Sequence, residues 1–280
     1  MADTYDFIIV GAGSAGCVLA DRLTANGRHS VLLLEAGGND WHPFLHIPAG
    51  WATNFNNPAF DWGYETEPEP HLHGRRIYWP RGRVLGGSSA INGMIYVRGV
   101  PLDFERWAQA GAEGWSWDEV LPYFRKAEKQ QTHHDELHGE DGPLHVQDVR
   151  DRRSVHDAFI RAMGEMGIPY NVDFNGQDQA GAGFYQFTQR NGKRWSTASA
   201  YLRDAKRRPN LRVMTHAHTQ RITFEGKRAT GVTVLRGGSM ETYLARQVVL
   251  CGGAINSPHL LELSGVGDAG RLNRLGIPVV

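Results

Sequence analysis

The sequence predicts an α/β fold built on a Rossmann-like parallel sheet, and three observations predict it. Tyr5 to Val10 is an apolar run of strand length, followed by a glycine turn from Gly11 to Gly16 and by helical spacing from Ser14 to Asn26. Ser30 to Glu35 is a second apolar run, completing a βαβ unit in roughly thirty residues. Far along the chain the pattern recurs: Tyr243 to Leu250 reads as a strand, Gly252-Gly253 as a turn, and Ser257 to Leu263 as a helix.

The intervening elements follow from the same reasoning. From Ala36 to Arg81 the chain is rich in Pro, Gly, Trp and His without clear periodicity, as expected of a long excursion over a site. Ser88 to Arg98 reads as an apolar helix opening after a double glycine. Asp118 to Lys129 and Ser154 to Met166 carry apolar residues at helical spacing, with His133 to His145 a polar loop between them. Ser196 to Lys206 is a further helix, and Leu211 to Arg236 alternates as short strands broken at Glu225-Gly226 and Gly237-Gly238. Gly276 to Val280 reads as the beginning of a strand.

Composition narrows the function classes. Of 280 residues, 41% are hydrophobic and 21% charged, which is enough apolar material for a substantial core and excludes a disordered chain. Lys plus Arg equal Asp plus Glu at 30 each, so no long-range field draws in nucleic acid or an anionic membrane. Cys17 and Cys251 lie far apart in apolar stretches, the pattern of buried thiols in a reducing compartment, and too few for a cysteine metal site. Met1 to Val10 lacks a basic leader, and no apolar run is long enough to span a membrane. The expectation is a cytoplasmic protein, with peripheral association at the inner face of a membrane left open.

Gly11, Gly13 and Gly16 form G-x-G-x-x-G between a strand and a helix. Gly11 permits the turn, Gly13 lets backbone approach a pyrophosphate, and Gly16 allows close packing of helix on strand. The helix N-terminus adds free N–H groups and partial positive charge for the diphosphate. Glu35 ends the second strand, where a carboxylate accepts hydrogen bonds from both ribose hydroxyls and repels a 2′-phosphate. NADP is therefore disfavoured, and NAD and FAD are both open at this point. The stretch Pro80-Arg81-Gly82-Arg83-Val84-Leu85-Gly86-Gly87-Ser88-Ser89-Ala90-Ile91-Asn92 supplies a second nest of backbone donors, for which a nicotinamide enzyme has little need.

At these residues the sequence resembles the glucose-methanol-choline (GMC) family of flavoproteins. Gly82 to Asn92, followed by Tyr96, Gly99 and Glu105, is similar to the first signature of that family, and Gly253-Ala254-Ile255-Asn256-Ser257-Pro258-His259-Leu260-Leu261-Glu262-Leu263-Ser264-Gly265-Val266-Gly267 to the second. The resemblance implies an FAD-binding domain over 1–153, with a flavin-covering excursion at about 36–81. It further implies part of an α+β substrate domain over 154–241, whose returning segment at about 211–236 contacts the adenine, and a return to the FAD domain over 242–280. It places Gly11, Gly13, Ser14, Ala15, Gly16, Glu35 and Ala36 on the ADP half of FAD. Arg81, Val84, Gly86, Gly87, Ser88, Asn92 and the backbone of Gly93, Met94 and Ile95 would line the diphosphate and flavin, with Gly252 approaching from the second signature. Thr219 sits where the family contacts adenine mainly through backbone, so its side chain should matter little.

Some members attach FAD covalently through a histidine just before the signature asparagine; here that position is Ile91, so the resemblance implies non-covalent FAD. Asn92 also has a plain reading as a helix cap. The family's catalytic base, a histidine with a His or Asn partner, is expected beyond residue 280, so no catalytic residue is assigned. His133, His134, His138 and His145 lack the helical spacing of a zinc site, and no metal is expected. Trp51, Trp62, Trp79, Trp107, Trp115 and Trp117 are foremost packing residues, with Trp62 and Trp79 nearest the expected flavin region.

The implied activity is oxidation of a primary alcohol by hydride transfer to flavin N5, with a quinone, a carrier protein or oxygen as electron acceptor. Asn92 to Gly99 and Gly183 to Gly192 look closer to the choline and aliphatic-alcohol dehydrogenases of the family than to its sugar oxidases. An oxygen-using oxidase, a nucleotide-binding module without catalysis and a nicotinamide dehydrogenase are the alternatives.

Overall fold

The structure, a computed structural model, describes residues 4–280. The expectation about a leader at Met1 to Val10 rests in part on Met1, Ala2 and Asp3, which lie outside the described residues. The chain forms two compact units: one runs to Asn92 and resumes over Ser196–Val280, and the other is Gly93–Trp195. The breaks therefore fall after Asn92 and after Trp195, not at the divisions 153/154 and 241/242 expected from sequence.

In the first unit a six-stranded sheet is made by β1 (Thr4–Val10), β2 (Val31–Leu34), β3 (Leu211–Met214), β4 (His218–Glu225), β5 (Arg228–Arg236) and β6 (Ser239–Leu250). Their spatial order is β3-β2-β1-β6-β5-β4. β3, β2, β1 and β6 run parallel, and β5 and β4 append an antiparallel meander to β6. The helices α1 (Ser14–Thr24) and α2 (Gly253–Leu263) follow β1 and β6.

Strand alternation explains why β1 and β2 read as unbroken apolar runs. Ile8 and Val10 share one face with Leu32, Leu34, Val232, Val234 and Leu260 of α2. Ile9 shares the other with Val31, Leu33, Cys17 and Ala20 of α1, and with Tyr201 and Leu202. Both faces are covered, as a parallel sheet requires. Ile8, Ile9, Leu32 and Leu33 have no exposed surface, and each such burial contributes about 1.5–3 kcal/mol.

The second unit holds a four-stranded sheet, in the order Ile95–Tyr96, Gln186–Phe187, Leu144–Asp148, Glu128–Gln130, with helices Pro101–Gln109, Trp117–Ala127 and Ser154–Glu165. Ser116 opens the second of these helices, its backbone N–H donating to the Glu119 carboxylate at 3.1 Å in a capping box. Phe104, Trp107, Trp115, Trp117 and Phe124 form a chain of ring contacts, the packing role expected of those tryptophans.

Several sequence expectations are corrected. Ser88 to Arg98 is not a helix: one 3-10 turn, Gly87–Ala90, is followed by Met94 at φ 64 and the strand Ile95–Tyr96. Left-handed backbone at Met94 ends helical propagation, and pairing of Ile95 with Phe187 supplies the alternative hydrogen bonds. Gly276 to Val280 forms no strand; the Val280 N–H donates to the Gly265 carbonyl at 2.9 Å. His133 to His145 is only partly loop, since a strand begins at Leu144 and takes in His145, and His138 is buried. Helices Pro101–Gln109 and Ala269–Arg274 were not expected, and Ser196 to Lys206 is a π turn, Ala198–Leu202, continued by Arg203–Ala205.

Candidate dinucleotide cavity

The first unit contains a cavity of about 670 Å³ at the carboxyl ends of β1, β2 and β6, where ligands bind in parallel α/β sheets. Its floor is the turn between β1 and α1. Gly11 has φ +100, and a Cβ there would sit 2.5 Å from the Cys251 carbonyl oxygen. A Cβ on Gly16 would lie 1.9 Å from the Gly11 oxygen, so that glycine sets how closely α1 packs on β1. Gly13 differs: a Cβ would meet nothing nearer than 3.9 Å. The protein itself does not demand glycine at 13, which fits a position where a ligand makes the close approach. α1 begins there with no side-chain cap and no acidic residue in its first turn, leaving its N–H groups open to an anion.

Glu35, 6% exposed, lines the cavity at the end of β2. Its carboxylate accepts from the Ala12 N–H at 2.9 Å and the Gly37 N–H at 2.8 Å. Burial nevertheless pushes its pKa up to about 7, the two N–H donors and the Arg83 charge only partly opposing it. Each oxygen keeps a second lone pair for a ribose hydroxyl.

The loop Gly82 to Ser89 forms the second wall and is fastened to the first glycine turn. The Gly86 N–H donates to the Ala12 carbonyl at 2.8 Å, and the Ser89 hydroxyl to the Gly86 carbonyl at 2.6 Å. Gly252, Asn256, Ser257 and His259 close another side, and Ala217 to Gln220 a fourth. From the excursion come Trp62, Tyr64 and Arg81. The Trp62 ring lies parallel to Tyr64 at 5.8 Å, with the Arg83 guanidinium 5.0 Å from its centroid. Burial, then the charges of Arg83 and His259, hold His218 below the usual imidazole range.

Of the residues nominated from sequence, Gly11, Gly13, Ser14, Ala15, Glu35, Ala36, Arg81, Gly87, Ser88, Thr219 and Gly252 line this cavity. Gly16, Val84 and Gly86 stand behind it as packing and turn residues. Asn92 does not line it, and Gly93, Met94 and Ile95 belong to the second unit. The Thr219 hydroxyl is buried without a protein partner. Trp62 lines the cavity, whereas Trp79 is half exposed against Arg81. Tyr64, Asn256, His218 and His259 were not nominated; Asn256 and His259 lay inside the second motif, while Tyr64 and His218 carried no sequence signal.

Among the described residues one cluster has metal-ligand chemistry, Asp135, His138 and Asp173 of the second unit. His138 Nε2 lies 2.9 Å from Asp173 and Nδ1 3.3 Å from Glu128, which also pairs with Arg98 at 2.6 Å. Burial opposes charge on His138, but Asp173 and Glu128 outweigh it and raise its pKa to about 9. As an imidazolium His138 donates from both nitrogens, to Asp173 and to Glu128, and forms the centre of a buried ion network.

The family described as GMC oxidoreductase matches residues 5–278. The chain is 48% identical to "Choline dehydrogenase, mitochondrial" of Mus musculus, across 99% of this chain and 48% of that protein. It is 46% identical to "Alcohol dehydrogenase [acceptor]" of Pseudomonas putida, across 99% and 51%. Among solved structures, pyridoxine 4-oxidase from Mesorbium loti superposes with a TM-score of 0.94 at 36% identity, covering 98% of this chain and 54% of the other. The chain thus spans about half the length of the curated relatives it matches. With its three glycine motifs gathered around one cavity, the chain belongs to the GMC oxidoreductase family.

Proposed function

We propose that this chain forms the FAD-binding portion of an oxidoreductase acting on the CH–OH group of primary alcohols, choline dehydrogenase-like in type. The observation that carries the reading is the cavity in which Gly13, Glu35, Gly87 and Gly252 meet. The N-terminus of α1 and the Gly11 to Ala15 backbone hold the diphosphate, and Glu35 accepts from the ribose hydroxyls. FAD, when bound, supplies the hydride acceptor for alcohol oxidation. The catalytic base is not assigned to any residue of this chain.

FAD is held non-covalently. In support, Ile91 is 2% exposed, packs with Leu45, Phe60, Val84 and Ala90, and carries no nucleophile. The electron acceptor is a quinone or a carrier protein. An oxidase passing electrons to oxygen is the second reading, favoured by the likeness to pyridoxine 4-oxidase. Among the described residues no helix is long and apolar enough to cross a membrane. The two cysteines, both free, support a cytoplasmic location, where a peripheral membrane contact is compatible with a quinone acceptor.

The test is a visible absorption spectrum of the purified chain after incubation with FAD, before and after acid precipitation. Flavin bands that pass into the supernatant are expected. Flavin retained in the pellet overturns non-covalent attachment, and failure to take up FAD overturns the reading for this chain.

A further inference from the structure

Tyr64 and Asn256 are 192 residues apart in sequence, yet the Tyr64 hydroxyl donates to Asn256 Oδ1 at 2.6 Å. Both residues line the cavity from different walls. Tyr64 belongs to a strap, the hairpin whose short strands pair Tyr64 with Trp79 and Glu65 with Tyr78. Asn256 lies in the first turn of α2.

The strap is rigid at its root. Asp61, 3% exposed, accepts from the Gly63 and Arg81 N–H groups at 3.1 Å each, from the Asn56 N–H at 3.1 Å, and from the Tyr78 hydroxyl. Trp62, stacked on Tyr64, is held from its other contacts by Arg83 and by the edge of His218. The join from strap to α2 is of another kind, a side chain to side chain hydrogen bond. Such a bond opens readily, because its net worth in water is small.

We propose that Tyr64 and Asn256 are a latch across the dinucleotide cavity, and that the strap unhooks from α2 each time the dinucleotide enters or leaves. The inference rests on the FAD reading above and assigns these side chains a kinetic role in it. The Tyr64 hydroxyl gives its one proton to Asn256 Oδ1, so it has no proton to donate to the ligand. Its loss therefore speeds entry and exit together and leaves the affinity where it was.

The test is stopped-flow flavin fluorescence on the full chain, measuring association and release of FAD for wild type, Tyr64→Phe and Asn256→Ala. Tyr64→Phe keeps the ring stacked on Trp62; Asn256→Ala removes the partner instead, and circular dichroism reports whether each variant is folded. Both rate constants are expected to rise together by roughly two- to tenfold, the worth of one hydrogen bond, with the Kd of Tyr64→Phe, which removes only the latching hydroxyl, unchanged within about twofold. Rates equal to wild type in either folded variant overturn the latch. Faster release with unchanged association and weaker Kd also overturns it, since that is the signature of a direct ligand contact. A wild-type chain that takes up no FAD overturns the flavin reading, and the latch with it; uptake with unaltered variant rates overturns the latch alone.

Discussion

Gly13 and Gly87 touch back to back: a Cβ on residue 87 would lie 2.7 Å from the Gly13 Cα. Two glycine motifs separated along the chain thus meet where the floor of the cavity joins its second wall, and Gly13 limits the space at residue 87. The contact is not symmetric, because a Cβ on Gly13 clears the Gly87 Cα by 4.0 Å.

This asymmetry separates folding from binding. Gly87→Ala puts an L side chain at φ +53 against backbone and is expected to cost roughly 1–3 kcal/mol of stability. Gly13→Ala is expected to cost under about 1 kcal/mol while weakening FAD binding on the order of tenfold or more, through loss of the close approach to the diphosphate. Thermal unfolding and an FAD titration on both variants check the pair.

Glu35 makes the stability of the first unit sensitive to pH. Its folded pKa, about 7, lies above the ordinary 4.5, so the folded state binds the proton more tightly than the unfolded one. The resulting stability is fully present below about pH 4.5 and is lost as pH rises through about 7. The expected outcome is a fall in Tm between pH 5 and 8 that Glu35→Gln abolishes, measured without dinucleotide.

His138 acts in the second unit at higher pH. With its folded pKa raised from 6.5 to about 9, its contribution is complete below about pH 6.5 and is lost as pH rises through about 9. His138→Ala leaves Glu128 and Asp173 short of a partner and is expected to cost about 3 kcal/mol at pH 7, with much less effect at pH 10. Urea unfolding at the two pH values measures the difference.

The sheet core offers the plainest test. Ile9→Ala, at a site with no exposed surface between α1 and β2, is expected to destabilise the first unit by about 2–5 kcal/mol. Equilibrium denaturation checks it.

Much of this was legible from sequence, and the reason is locality. The βαβ unit, the glycines at 11, 13 and 16, and the strands from Leu211 to Leu250 follow from periodicities spanning a few neighbours. Gly11 and Gly87 sit at positive φ, a backbone state their residue type alone makes easy. Glu35 could be placed at the cavity because strand length and turn geometry fix where a strand ends.

What only tertiary structure decided is whatever depends on partners distant in the chain. Ser88 to Arg98 has helical composition, yet pairing of Ile95 with Phe187 drew its end into a sheet. His138 reads as one of several loop histidines and becomes a buried ion because Glu128 and Asp173 converge on it. The joining of Tyr64 to Asn256 is of the same kind. A hydrogen bond or ion pair of this range needs two side chains that only the folded chain brings together, and no local periodicity announces the pairing.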